Sequence, residues 1–153
     1  MLSGCSLNLS HLKEFLMAIL QLSLISMAAL LSIAFGIRYL FTKTFMPYHA
    51  TVAGQPWSEL TPGLQTVILG MLRILGGGFN TYGLALLWLL LPLSRNEAWA
   101  SWAALTLTLA AVLPTLYVTV YLRRFAPTAK TPIAPASIAL ALGVVGSCVS
   151  FYR

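Results

Sequence analysis

Charge is what this chain has least of. Its 153 residues carry nine Lys/Arg and three Asp/Glu, 8% of the total, against about 25% in soluble domains. These few charges leave long gaps. Residues 15–37, 98–122 and 133–152 contain none, and 60–94 contains only Arg73. An uncharged apolar run of about 18 residues or more is long enough, as a helix, to cross the roughly 30 Å hydrocarbon layer of a bilayer. The expected fold is therefore all-α: a polytopic membrane protein forming one domain over residues 1–153. Its four transmembrane helices fall near 15–37, 64–93, 98–122 and 133–152, with an interfacial cap, 38–61, between the first two.

The other scarce residues exclude chemistry. Two cysteines, Cys5 and Cys148, are too few for a disulfide framework and form no CxxC pair; idle thiols are the expected state. Leu2-Ser3-Gly4-Cys5 resembles the box before a lipoprotein cysteine. A signal peptide needs a basic stretch and an apolar stretch of about 7–15 residues before its cleavage site, so the first run is expected to stay as a span. The two histidines, His11 and His49, flank that span, which argues against a haem held between them. No His, Cys or carboxylate cluster has metal-ligand spacing. No GxxxxGK[ST] phosphate loop or GxSxG nucleophile elbow is present. Neither a metal nor a cofactor is expected.

The net charge of +6 would suggest nucleic acid in a soluble protein. Here the basic residues sit beside the ends of apolar runs and lack a stripe with interleaved aromatics, so nucleic acid is not an expected partner. Such placement suits anionic lipid headgroups and sets topology. Arg38, Lys43, Arg123, Arg124 and Lys130 lie on the side of the first and third connections; Lys13, Arg95 and Arg153 lie on the other. Five against three places both termini outside and the cap on the cytoplasmic side.

Local signals fill in the outline. Thr61-Pro62 reads as an N-cap followed by proline at the first helical position. The second helix, thirty-odd residues on this reading, is expected to be the longest. Pro114 is expected to kink the third near Ala110. Trp99 and Trp102 open that helix and Tyr117 and Tyr121 close it, an aromatic belt at each interface. The cap holds Pro47, Gly54 and Pro56, which oppose one continuous helix. Its Phe41, Phe45, Tyr48 and Trp57 suit a segment lying at headgroup level. Small residues recur at four-residue spacing in Ala28-Ser32-Gly36 and Ala139-Gly143-Ser147. With Gly76, Gly77 and Gly78 they are the expected helix-packing surfaces, because helices in lipid associate through close van der Waals contact. A ridge left free would serve a homo-oligomer or a partner membrane subunit.

Two function classes remain open on sequence. In the first, the protein is non-enzymatic and binds lipid or a partner subunit. In the second, it is a small-molecule carrier or enzyme using the cap residues Tyr48, His49, Trp57 and Glu59 with Arg73. Arg73 is the charge that falls inside an apolar run, and an intramembrane charge is by default a functional candidate. It can equally mark the membrane edge and snorkel to phosphates.

The stretches Met46-Pro47-Tyr48-His49-Ala50, Gly54-Gln55-Pro56-Trp57-Ser58-Glu59-Leu60 and Met71-Leu72-Arg73-Ile74-Leu75-Gly76-Gly77-Gly78 carry a resemblance. In outline they resemble small uncharacterised four-helix bacterial inner-membrane proteins, broadly DoxX-like, over residues 40–130. The resemblance implies a four-helix bundle in a bacterial inner membrane and implies no mechanism.

Overall fold

The computed structural model describes the backbone of residues 3–152 and the side chains of residues 9–152. The described chain folds as five α-helices: α1 (Ser3–Phe41), α2 (Pro47–Ala53), α3 (Pro62–Ser94), α4 (Ala98–Phe125) and α5 (Ile133–Cys148). A 3-10 turn, Trp57–Glu59, precedes α3, and another, Val149–Tyr152, follows α5. Four of these elements, Leu9–Phe41, Pro62–Ser94, Ala98–Phe125 and Ile133–Tyr152, are long and apolar enough to cross a membrane. Each packs on two neighbours in the cyclic order α1, α3, α4, α5. The α3–α4 and α4–α5 connections, residues 95–97 and 126–132, are short and make those pairs antiparallel, while the cap carries the chain from α1 to α3. The protein is an all-α four-helix membrane bundle.

The ends of the elements follow from local chemistry. The Thr61 hydroxyl accepts the Leu64 N–H at 3.4 Å and Pro62 opens α3, whose first orphan donor is thereby satisfied. Gly54 ends α2 in the left-handed region, φ 72°, returning its N–H to the Ala50 carbonyl. Asn96, at φ 58°, turns the chain from α3 into α4. α4 runs unbroken through Pro114 to Phe125.

The first helix differs from the sequence expectation. It begins at Ser3, not near 15, and at 39 residues it exceeds the 33 of α3, so the second span is not the longest helix. Polar residues such as His11, Lys13 and Glu14 are not stop signals. Lys and Glu are good helix formers, and no proline interrupts the sequence between Ser3 and Phe15. Cys5 lies outside the residues whose side chains are described, while Cys148 is a half-buried free thiol.

Close backbone approach joins α1 to α3, the most extensive pairing in the bundle. A Cβ on Gly36 would sit 2.8 Å from the Gly76 carbonyl oxygen, and a Cβ on Gly76 would sit 2.8 Å from both the Gly36 oxygen and the Leu40 nitrogen. Gly83 meets Ala29 and Ile33 as tightly. On the other side of the bundle, Gly143 faces the Thr108 side chain and Gly146 faces Leu24 and Ile25. The glycine run is not a uniform surface: nothing lies within 4 Å of a Cβ at Gly77 or Gly78. Successive helical residues are rotated by about 100°, so only one of three adjacent positions can face a given neighbour.

The apolar interior has two parts. Ile25, Ala28, Ala29, Leu86, Leu93, Ala100 and Ala104 fill the bundle toward the α3–α4 turn. Tyr39, Phe45, Met46, Leu60 and Leu72 form a second core under the cap, with Trp57 and Phe79 against it. Phe45 and Trp57 meet edge to face at 5.1 Å, and Gln65 donates to the carbonyls of Trp57 and Leu60 at 2.9 and 3.2 Å. The cap is thus a folded layer pinned to α1 and α3. Polar side chains between helices are few: Gln21 donates to the Ser101 hydroxyl at 3.3 Å, and the hydroxyls of Tyr82 and Thr108 bond at 3.0 Å. The outer faces carry bare apolar and aromatic side chains, with Ile74 79% and Trp88 80% exposed. Such faces would drive aggregation in water and suit hydrocarbon.

Candidate functional site

Beneath the cap the four long helices diverge around a partly open cavity of about 290 Å³. From α1 it is lined by Leu31, Ser32, Phe35 and Tyr39, and from α3 by Leu75, Phe79 and Tyr82. α4 adds Val112, Pro114, Thr115, Val118, Thr119 and Leu122, and α5 adds Pro135, Ala136 and Ala139. Tyr48 and His49 of α2 complete the cap end. No Lys, Arg, Asp or Glu is among the lining residues. The volume approaches the lower end of ordinary small-ligand sites, about 300 Å³. About ten water molecules would fill it, at about 30 Å³ each, yet the walls give water little to bind.

The hydroxyls around it are nearly all occupied. Ser32 donates to Ala28 O at 2.9 Å, Thr115 to Ala111 O at 3.0 Å and Thr119 to Leu116 O at 2.9 Å. Each hydroxyl turns back onto its own helix, so these walls behave as apolar surface. The polar groups with capacity to spare are gathered at the cap end. The Tyr39 and Tyr48 hydroxyls share one hydrogen bond at 2.9 Å. Burial, and then that bond, hold the Tyr48 phenol well above its usual pKa, so it stays protonated.

His49 is fixed by the start of α2. Pro47 opens that helix and Met46 is its N-cap. The backbone N–H of Met46 donates to His49 Nδ1 at 3.2 Å, and the His49 N–H donates back to Met46 O at 2.8 Å. The side-chain half of this pair is that of a capping box, with imidazole in the usual place of Glu or Gln, while the return bond runs main chain to main chain. The ring stands 4.1 Å from Tyr48 and 6.0 Å from Phe45, centroid to centroid, and burial pulls its pKa below the ordinary 6.5.

That shift has a sign for stability. The unfolded chain binds the His49 proton more readily than the folded one. The contribution is therefore complete above about pH 6.5 and is lost as pH falls below it toward the lowered folded value. The melting temperature in detergent should drop between pH 7 and pH 5. The drop should be smaller in His49→Asn, whose side-chain oxygen can still accept from Met46 but does not titrate. Equal acid loss in both proteins would place the sensitivity elsewhere.

The sequence candidates separate in space. Tyr48 and His49 line the cavity; Glu59 and Arg73 do not, and Trp57 packs on Phe45 in the cap core. Glu59 and Arg73 are exposed. Arg73 lies next to the exposed Ile74, on the outer face of α3. From Arg73 to the C-terminal end of α3 at Ser94 a helix rises roughly 32 Å, close to the hydrocarbon thickness. Arg73 thus stands about one hydrocarbon thickness from the far end of α3, and the cavity-lining residues of α3, Leu75, Phe79 and Tyr82, begin two positions past it. Sequence reasoning missed Tyr39, Phe79, Thr115 and Ala136 as lining residues. Five elements contribute to the cavity, and no local spacing announces a space between them.

Among the described residues, no three His, Cys, Asp or Glu side chains come close enough to share a metal ion. Comparison with known protein families, curated proteins and solved structures finds no match.

Proposed function

We propose that this is a non-enzymatic, lipid-binding protein of the cell membrane whose cavity receives the apolar part of a molecule drawn from the bilayer. The observation that carries this reading is the cavity itself: nearly dry walls, its hydroxyls turned onto their own helices, and an uncharged polar group at the cap end. Apolar space that water cannot hydrate well is filled favourably by hydrocarbon. The position of Arg73 supports a cavity level with the acyl chains of one leaflet. The distribution of basic flanks favours the cytoplasmic leaflet, and the DoxX-like outline suits a bacterial inner membrane. The exposed outer faces would take bulk lipid or a second membrane chain. The alternative, a carrier or enzyme using His49, Glu59 and Arg73, needs these groups to converge, and Glu59 and Arg73 stand outside the cavity.

Photo-crosslinking tests the reading. A decanoyl probe bearing a terminal diazirine, added to the protein in nanodiscs, should label peptides containing Phe79, Thr115 and Pro135, and excess unlabelled decanoyl ester should suppress that labelling. Labelling confined to the outer face, at Ile74 and Trp88, and insensitive to competitor would refute it.

A further inference from the structure

The donors and acceptors at the cap end of the cavity say what kind of molecule it takes. His49 Nδ1 accepts a backbone N–H, which can only donate, so the lone pair is on Nδ1 and the neutral ring carries its hydrogen on Nε2. That Nε2–H has no hydrogen-bond acceptor among the described residues. The Tyr39 and Tyr48 hydroxyls own two hydrogens between them and use one in their mutual bond, so one O–H is also left over. Every other hydroxyl on the wall donates to a main-chain carbonyl or, for Tyr82, pairs with Thr108. Tyr39, Tyr48 and His49 line the cap end of the cavity, so that end carries two donors without an acceptor, an N–H on α2 and an O–H of the tyrosine pair; His49 also borders a shallower groove with Val52 and Leu64. It offers no cation, so an ionised carboxylate or phosphate would lose its hydration without gaining a counter-charge.

We propose that His49 and the Tyr39–Tyr48 pair form a two-donor head site, selecting lipids with an uncharged acceptor such as an ester or ketone carbonyl over ionised acids and plain hydrocarbons. This rests on the lipid-binding reading and specifies its ligand class. The chain of the ligand lies along Leu75, Phe79 and Ala136, and its carbonyl oxygen accepts from His49 Nε2 and from the free tyrosyl hydrogen. An imidazole that can only donate at its free nitrogen gives the site its polarity. The same ring holds α2 in place through Nδ1, so the helix start fixes the tautomer and the tautomer fixes the preference.

Equilibrium dialysis of radiolabelled methyl decanoate, decanoate at pH 8 and decane against the full-length protein in detergent tests the proposal. Each probe's binding is read as the excess over protein-free micelles of the same detergent, so its partition into micelles is subtracted before probes or variants are compared. His49→Asn keeps an acceptor near the Nδ1 position and removes the Nε2 donor. It should weaken the ester by about three- to tenfold, the value of one hydrogen bond, and leave decane unchanged. His49→Gln, which restores an N–H near the Nε2 position, should recover most of the ester affinity. The double variant Tyr39→Phe/Tyr48→Phe removes the hydroxyl donor without touching the α2 cap. It gives the same readout should His49→Asn fail to fold. Decanoate should bind at least tenfold more weakly than the ester in wild type. Ester and decane weakened equally by both sets of variants, or decanoate binding tightest, would overturn the head site. Failure of all three probes to bind the wild type would instead remove the lipid-binding reading beneath it.

Discussion

Replacing Gly76 with alanine should destabilise the protein by about 1–3 kcal/mol or more, whereas the same change two residues later, at Gly78, should be neutral or stabilise by up to about 1 kcal/mol. The two glycines belong to one uninterrupted run in one helix, so propensity and residue volume cancel in the comparison. They differ in what a methyl group would meet. At Gly76 it would press within 2.8 Å of the main chain of α1, at the Gly36 oxygen and the Leu40 nitrogen. Backbone cannot rotate away as a side chain can, so α1 and α3 must separate, loosening the largest interface of the bundle. At Gly78 the methyl would meet nothing within 4 Å, and alanine simply relieves glycine's entropic handicap in a helix. Reversible unfolding in mixed micelles, monitored by far-UV circular dichroism, measures both. Equal destabilisation at the two positions would mean that the helices do not cross where Gly36 and Gly76 meet.

That contrast also shows where the sequence was legible. The four spans could be counted because uncharged runs of that length have few alternatives to crossing a bilayer. The α3 start at Thr61-Pro62 was legible for a local reason, a side-chain cap followed by proline. The N-terminal extension of α1 was not, because a hydropathy pattern marks where an apolar run ends and not where a helix of polar helix-formers does. Gly76, Gly77 and Gly78 look alike in one dimension. Which of them faces α1 is set by helix rotation relative to a neighbour forty residues away. For the same reason the cavity left no trace, since it is a space between side chains of five elements. His49 is the intermediate case. It was noticed as one of two histidines, and its position three residues after Met46, with Pro47 between, is that of a capping-box partner. Only the three-dimensional contact shows that its Nδ1 is used up and its Nε2 is not.

Filling the cavity should abolish what it holds. Ala136 lines it from α5 and is buried, so Ala136→Phe projects a ring into the space between α1, α3 and α4. The phenyl group displaces about half a dozen carbon-sized groups from a cavity of about 290 Å³. Filling a void in this way leaves stability unchanged or raises it, so loss of ligand would not reflect loss of fold. Ile138→Phe is the matched control: it adds a ring two residues along the same helix, at a side chain that is 53% exposed and does not line the cavity.

The most direct measurement is organic extraction and mass spectrometry of the purified protein, comparing wild type, Ala136→Phe and Ile138→Phe at equal protein and equal bulk phospholipid. Wild type and Ile138→Phe should carry a near-stoichiometric neutral lipid beyond the annular phospholipid, and Ala136→Phe should carry at least tenfold less while keeping its helical spectrum and melting temperature. The same lipid content in all three proteins would contradict the assignment of the cavity as a ligand site.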